Sequence, residues 1–238
     1  ADKRNFRHFM LKEIYEQPET AQLWIDRFLP IDLPSENSVA LPITKSMLKK
    51  IEHIQILACG TSRHAGMVGA YLLEQFAGVS TKVYFASEFR YSPPPLSPNT
   101  LTIGVSQSGE TADTLAALRM EKERRDSTQD DNYSFHQLGI TNRIDSSLAR
   151  EMDNVVDIGA GIEVGVAATK TFLGQMLSFY GLTLLFASHT KKRSYQEILN
   201  LSNDLRLIPK QLTELIKKHD SLSQEIANLF VETKDVIF

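Results

Sequence analysis

The sequence contains very little cysteine and no excess of basic charge. Its single cysteine, Cys59, cannot form a disulfide within the chain, and the charged first residues lead into no apolar segment. Neither feature is typical of a secreted protein. The 26 lysines and arginines are scattered along the chain and are outnumbered by 29 aspartates and glutamates. We therefore expect a cytoplasmic protein that binds no nucleic acid.

The chain does have enough apolar sequence for a substantial core. Of its 238 residues, 42% are hydrophobic and 23% are charged, which predicts one large globular domain or one domain with helical extensions. The chain begins with alanine, and its last residues, Asp235–Phe238, resemble the start of a strand. We expect a piece of a longer protein; a natural terminal strand at a sheet edge is the alternative.

The segment Leu101–Thr114, which reads LTIGVSQSGETADT, is the most informative part of the sequence. An apolar run ends at Val105, a hydroxyl-rich turn follows, and from Ala112 onwards apolar residues recur at helical spacing. This pattern predicts a strand, a polar loop and a helix. Such a loop directs backbone N–H groups and hydroxyls towards one point ahead of a helix N-terminus, and that geometry binds phosphate.

The rest of the chain alternates between predicted strands and helices, with helical segments at both ends. A helical arm is predicted over Asn5–Ile25 with a break at Pro18, and a linker over Pro30–Pro42. Amphipathic helices are predicted over Lys192–Glu232. Strands separated by helices favour a parallel sheet covered on both faces. The five predicted strands are Ile54–Ala58, Thr81–Ala86, Leu101–Val105, Phe135–Thr141 and Asn154–Ile158.

The segment Val164–Ala187 is long and mostly apolar. Lys170, Gln175, Ser178 and Thr183 interrupt it, so it lacks the uninterrupted stretch of roughly 20 apolar residues that a membrane-spanning helix needs. We predict a helix buried against the sheet, and no membrane partner.

Two of the predicted strand-to-helix junctions share the same chemistry. Cys59–Ser62 follows the first strand and precedes a helix predicted from about Arg63, and Ser106–Gly109 follows the third strand. Ligands of parallel sheets bind at the carboxyl edge, where both junctions must lie. The junction Thr141–Asn142, with Ser146 soon after it, is expected at the same edge. A serine-rich turn can serve only to cap a helix, but two such turns at one edge favour a phosphate site.

The phosphate-binding loop that the sequence predicts differs from a nucleotide P-loop. It contains no lysine, and its glycine does not have P-loop spacing. A sugar phosphate therefore suits the loop better than ATP does.

Several longer motifs resemble those of the glutamine–fructose-6-phosphate aminotransferases, in the same order along the chain. The resemblance extends from about Phe6 to Phe238. The motifs are FMLKEIYEQP at Phe9–Pro18, LACGTS at Leu57–Ser62, ASEFRY at Ala86–Tyr91, SQSGETADTLAALR at Ser106–Arg119, GITN at Gly139–Asn142 and EVGVAATK at Glu163–Lys170.

The resemblance implies a sugar isomerase (SIS) fold, an α/β fold in which a five-stranded parallel sheet is doubly wound with helices and extended by helices at both ends. The implied organisation is a helical arm and linker over 1–45, a sugar-phosphate-binding SIS domain over 46–190, and a helical segment over 191–238. Enzymes of this family make glucosamine 6-phosphate from fructose 6-phosphate and glutamine-derived ammonia. They carry an N-terminal glutaminase domain and two SIS domains, of which this chain resembles the first, and the resemblance implies a homodimer.

The resemblance also implies which residues bind the substrate, either fructose 6-phosphate or glucosamine 6-phosphate. The phosphate loop is implied to comprise Ser106, Gln107, Ser108 and Thr111, with Thr61 and Ser62 completing the sugar-phosphate site and Val166 contacting the sugar through its backbone. No cofactor and no metal are implied. Ala168 stands where the family commonly has a serine, so a hydroxyl contact to the sugar is expected to be missing or replaced.

Moving a proton between C1 and C2 of an open-chain sugar requires a positioned carboxylate and a cationic or Schiff-base lysine. The resemblance implies that these groups, with a histidine from across the dimer, belong to the second SIS domain. We expect Glu110 and Glu163 to cap helices or pair with bases, Lys170 and His64 to be structural, and Cys59 to lie in the core. This chain alone is therefore expected to be inactive.

Two alternatives to this interpretation keep the sugar-phosphate site. One is a stand-alone SIS phosphosugar isomerase that works as a dimer. The other is a sugar-phosphate-sensing module, although neither the charge nor the N-terminal arm indicates the DNA-binding helices of a transcriptional regulator.

Overall fold

The computed structural model describes residues 2–31, 39–128 and 130–235. Most of the predicted linker over Pro30–Pro42 and the end of the predicted terminal strand at Asp235–Phe238 lie outside these residues. Within the described ranges, one sheet with helices on both faces forms the body of the molecule.

The sheet has five strands, all of them parallel, in the order β2-β1-β3-β4-β5. Strand β3 lies at its centre and is buried at every residue, as expected for a parallel sheet with both faces covered. The predicted fold class is therefore confirmed, and the predicted strand ends are correct to within two residues. The strands are β1 His53–Ala58, β2 Ser80–Phe85, β3 Thr100–Ser106, β4 His136–Thr141 and β5 Val155–Asp157.

Helices cover both faces of this sheet, and each face has its own apolar cluster. After the N-terminal arm the helices are α3 Lys45–Lys50, α4 Gly60–Leu72, α5 Ala86–Phe89, α6 Ala112–Asp126, α7 Ser147–Glu151, α8 Lys170–Thr190 and α9 Tyr195–Leu229. The larger cluster joins the sheet to the arm helix Gln17–Phe28 and to α3, α4, α8 and α9, and the smaller one joins it to α5, α6 and α7. A π-helical turn, Leu73–Ala77, continues α4 and ends at Gly78.

The predicted helical arm consists of two helices, α1 Phe9–Tyr15 and α2 Gln17–Phe28. The chain breaks at Glu16, and Pro18 lies in the first turn of α2, where a missing N–H costs nothing. Trp24 is buried, and its indole nitrogen donates to the Ser178 hydroxyl at 3.2 Å. The arm is thus packed into the larger cluster.

The long apolar segment forms helix α8, Lys170–Thr190. It is long and apolar enough to cross a bilayer, but 72% of its apolar 18-residue stretch is buried inside the fold. The prediction of a buried core helix is confirmed. Its predicted start at Val164 is wrong, because Val164–Thr169 is an irregular loop whose backbone amides donate to the carboxylates of Glu13 and Glu163.

The C-terminal segment is one helix, α9 Tyr195–Leu229, where several had been predicted. Its N-terminus has a capping box in which Ser194 and Glu197 satisfy each other's backbone amides. At 35 residues it is about 52 Å long. Its buried residues end at Pro209, so its second half extends along the outside of the body.

Candidate functional site

Two helix N-termini lie side by side at the carboxyl edge of the sheet. Strands β1 and β3 are hydrogen-bonded neighbours, α4 begins two residues after β1, and α6 begins at Ala112, six residues after β3. The first turn of a helix has amides without intrahelical partners and a partial positive charge. The predicted start of α4 at Arg63 is wrong by three residues, which places Thr61 and Ser62 within its first turn.

The loop between β3 and α6 folds around a buried hydroxyl. Ser106 Oγ lies 2.8 Å from Thr111 Oγ1 and accepts a hydrogen bond from the Gly109 amide at 3.0 Å. Ser108 is exposed, and its hydroxyl accepts from the Glu110 amide at 3.2 Å. In the described part of the chain, the Thr111 side chain does not cap α6, so the first-turn amides of that helix stay available to a ligand.

Gly109 allows this loop to approach helix α7. Its φ of +68° is a left-handed conformation, and a Cβ at this position would lie 2.5 Å from Ser146 Cβ and closer still to the Ser146 hydroxyl. The Gly109 carbonyl accepts from the Leu148 amide at 3.0 Å. Only glycine satisfies both the backbone angle and the close approach.

The loop after β4 lies at the same edge of the sheet, as the sequence predicts for this junction, and it contacts the 106–111 loop. The Gln107 carbonyl accepts from the Asn142 amide at 3.1 Å. Glu110 accepts from the Ser147 amide at 2.8 Å, and this hydrogen bond at the α7 N-terminus lowers the pKa of the Glu110 carboxyl. Glu110 is therefore a helix-capping residue, as expected.

The junction after β1 has one exposed and one restrained hydroxyl. Thr61 is exposed in the first turn of α4, and Ser62 is half-buried. The Ser62 hydroxyl accepts from Gln175 Nε2 of α8 at 2.9 Å. Gln175 is almost completely buried, so a fixed side chain of α8 orients the Ser62 hydroxyl.

Val166 lies in the loop over 158–169, between β5 and α8, and its side chain is fully exposed. Asn142 connects this loop to the one after β4: its side-chain nitrogen donates to the Gly161 carbonyl at 2.6 Å, and its side-chain oxygen accepts from the Ala160 amide at 2.8 Å. Together with the Gln107 contact, these bonds join three consecutive loops at one edge. The predicted phosphate loop and the predicted sugar contact thus belong to one continuous rim.

The other candidate residues have structural roles. Glu163 accepts from the amides of Thr169 and Thr171 at 2.9 and 3.3 Å and so caps α8, and Lys170 is buried in an ion pair with Glu16 at 2.8 Å. His64 is exposed on α4. Cys59 is only half-buried and packs against the smaller cluster, so its predicted core position is partly right. No group of three potential metal ligands occurs within the described residues.

The profile of the SIS domain family matches residues 47–185. This chain belongs to the SIS domain family. It is 50% identical over its whole length to a glutamine–fructose-6-phosphate aminotransferase from Synechocystis and 38% identical to one from Clostridium acetobutylicum. It covers 38% and 37% of the lengths of these two relatives, so it corresponds to well under half of such a protein.

Solved structures agree with this assignment. The C-terminal domain of glucosamine-fructose-6-phosphate aminotransferase from Francisella tularensis has a TM-score of 0.84 and 36% identity, over 97% of this chain and 61% of that one. A tagatose-6-phosphate ketose/aldose isomerase from Escherichia coli has a TM-score of 0.63 at 18% identity, over 91% of this chain and 55% of that one. The second likeness shows the fold alone.

In this SIS domain, three residues that support the site were missed by sequence reasoning. The sequence identifies Gln175 only as a polar interruption of an apolar helix, Asn142 only as part of the rim, and Glu13 only as a helically spaced residue of the arm. Gln175 contacts the first turn of α4, and Asn142 and Glu13 contact the loop before α8. A polar residue inside the apolar pattern of α8 was the available signal for Gln175, because buried polar groups have hydrogen-bond partners.

Proposed function

We propose that this chain is the first SIS domain of a glutamine–fructose-6-phosphate aminotransferase and binds the phosphate of fructose 6-phosphate or glucosamine 6-phosphate. The observation that carries the proposal is the convergence of hydroxyls from the 106–111 loop with two neighbouring helix N-termini. The identity to curated aminotransferases across the whole chain supports this substrate class.

The energetics of the loop are sufficient for such a ligand. A hydrogen bond to a charged group contributes about 1.5–3 kcal/mol, and a helix N-terminus adds about 0.3–1 kcal/mol. Ser108, Thr111 and the two helix N-termini together support dissociation constants in the roughly micromolar to millimolar range, while the buried Ser106 hydroxyl holds the loop in shape. The exposure of Ser108 and Thr61 leaves their hydroxyls accessible to a ligand.

The catalytic chemistry is proposed to reside outside this chain. The two candidate acids, Glu110 and Glu163, accept hydrogen bonds at helix N-termini, and Lys170 is paired with Glu16. None of these groups is presented as a free base or amine. Proton transfer between C1 and C2 is therefore assigned to a second SIS domain, and ammonia supply to a glutaminase domain.

The outer half of α9 supports a role in assembly. Its exposed apolar residues recur at helical spacing, with Leu215, Leu222, Ile226 and Leu229 between 45% and 79% exposed. An exposed apolar stripe of this kind is typical of a helix that packs against a partner. We propose that it contacts the second SIS domain or the other subunit of a cytoplasmic homodimer.

Calorimetric titration tests the proposed ligand. Fructose 6-phosphate and glucosamine 6-phosphate are expected to bind in the micromolar to millimolar range, and free fructose, which lacks the phosphate, is expected not to bind. Equal binding of fructose and fructose 6-phosphate would contradict the phosphate site.

A turnover assay with fructose 6-phosphate and ammonia separates this proposal from a stand-alone isomerase. We expect no glucosamine 6-phosphate from this chain alone, because the groups for proton transfer are assigned to another domain. Production of glucosamine 6-phosphate by the isolated chain would contradict that division of roles.

A further inference from the structure

The loop between β5 and α8 is held in place by a carboxylate from the N-terminal arm. Glu13 of α1 is 2% exposed. Its Oε1 accepts from the Val164 amide at 2.6 Å, and its Oε2 accepts from the Gly165 amide at 3.0 Å. A buried carboxylate is costly unless its oxygens are hydrogen-bonded, and here two consecutive amides bind them. Glu13 therefore fixes the backbone of the loop at this point.

Gly165 is fitted to this carboxylate. A Cβ at Gly165 would lie 2.6 Å from Glu13 Oε2 and 3.4 Å from Met10 Cβ. A larger residue would displace the Glu13 carboxylate from the Gly165 amide. The close contact thus requires the Glu13 carboxylate on the arm and a residue without a side chain at position 165 of the loop.

Val166 follows immediately after this anchor. Its side chain is fully exposed, so packing of that side chain does not set its position. Asn142 holds the loop on one side, at Ala160 and Gly161, and Glu163 caps α8 on the other. The backbone direction at Val166 accordingly depends on the two amides bound by Glu13.

A second contact ties the same arm to the end of the same loop. Glu16 accepts from the buried Lys170 ammonium at 2.8 Å and pairs with Lys12 at 3.3 Å. Burial by itself would raise the pKa of the Glu16 carboxyl, but its bonds to Lys170 and Lys12 lower it. The arm therefore contacts the loop both before Val166 and at the first residue of α8.

We propose that Glu13 is a positioning residue for the sugar. It sets the backbone of the loop so that Val166 faces the sugar end of a ligand whose phosphate is held separately by the 106–111 loop. This inference rests on the proposed function. It makes sugar affinity dependent on the placement of the N-terminal arm, while phosphate affinity is independent of it.

The test compares two ligands in the variant E13Q and in the matched control E19Q, which changes an exposed glutamate of α2. Glutamine keeps the size of the side chain but removes the charge and places an NH₂ group against a backbone N–H. For E13Q, we expect fructose 6-phosphate to bind roughly tenfold more weakly, because the loop conformation that presents Val166 becomes less populated. Binding of inorganic phosphate should stay within about twofold of wild type. E19Q should match wild type for both ligands.

Hydrogen exchange adds a readout that needs no ligand. In E13Q, amides over 163–168 should exchange faster than in wild type, while those over 106–111 should not change. Equal weakening of both ligands would indicate a general structural role and overturn the proposal, and so would unchanged fructose 6-phosphate affinity. If the wild-type chain binds neither ligand, the proposed function fails. In that case, unchanged exchange over 163–168 overturns the anchor as well, and faster exchange retains it.

Discussion

The two loops that form the proposed site are held in different ways. The 106–111 loop is short and folds on itself, through the Ser106–Thr111 hydroxyl pair and contacts to the adjacent loop after β4. The 158–169 loop is longer and is fixed by Glu13, which lies 151 positions before Val164. The proposed phosphate end is therefore held by its own residues and by the neighbouring loop and helix after β4, whereas the proposed sugar end also depends on a residue of the N-terminal arm. Changes in the first loop should affect every phosphate ligand, and changes around the second should affect the sugar alone.

Replacing Gly109 with alanine should have the largest effect on the local loop. The new Cβ meets Ser146, and φ is +68°. We expect the free energy of unfolding to fall by about 2–5 kcal/mol, the sum of left-handed strain and overpacking. Binding of phosphate and of fructose 6-phosphate should be lost together. Urea unfolding and calorimetry measure the two effects.

The matched control for this change is Gly159→Ala in the other loop. Gly159 has the same φ of +68°, but nothing lies within 4 Å of a Cβ at that position. Its cost should be only the strain of about 1–2 kcal/mol. Equal destabilisation by the two substitutions would contradict the tight packing between the 106–111 loop and α7.

The hydroxyls of the phosphate loop should have the next largest effect. Ser108→Ala or Thr111→Ala should weaken fructose 6-phosphate and inorganic phosphate severalfold and by the same factor, because both ligands use the same hydroxyls. The melting temperature should stay nearly unchanged in Ser108→Ala, as for most surface substitutions. It should fall in Thr111→Ala, which also removes the hydroxyl pair with Ser106.

The control for the hydroxyl variants is Ser223→Ala, at an exposed position of α9. It should change neither affinity. Wild-type affinity in both the Ser108 and the Thr111 variants would remove the loop from the site.

The smallest expected effect concerns the Glu110 cap, which joins the local loop to α7. Because the pKa of Glu110 is lowered in the fold, its contribution to stability is present above the ordinary glutamate pKa of about 4.3 and is lost as pH falls below it. Glu110→Gln should lower the melting temperature slightly at pH 7 and not at acidic pH. A difference that grows on acidification would contradict this assignment.

The same contrast explains what the sequence could predict. The sheet and the turn between β3 and α6 follow from patterns confined to a few residues, the apolar strands and the hydroxyl-rich segment. The start of α8 could not be predicted, because the run from Val164 to Ala168 is apolar enough for a helix. Its amides are instead taken by Glu13, a residue on another element.

Residues that act across the fold leave little signal in their own neighbourhood. Glu13 follows Lys12 in α1, and nothing in this sequence pattern distinguishes a buried glutamate from one on a solvent-exposed face. Asn142 was placed at the rim because it follows a strand, but its bonds to Ala160 and Gly161 depend on how the loop after β5 folds back. These contacts exist only once the sheet has brought the loops together.

A crystal of this chain soaked with fructose 6-phosphate tests the central claim most directly. The account predicts phosphate density between the N-termini of α4 and α6, within hydrogen-bonding distance of Ser108 and Thr111, with the sugar extending towards Val166. Ligand density elsewhere, or a 106–111 loop whose own side chains fill the space, would contradict it.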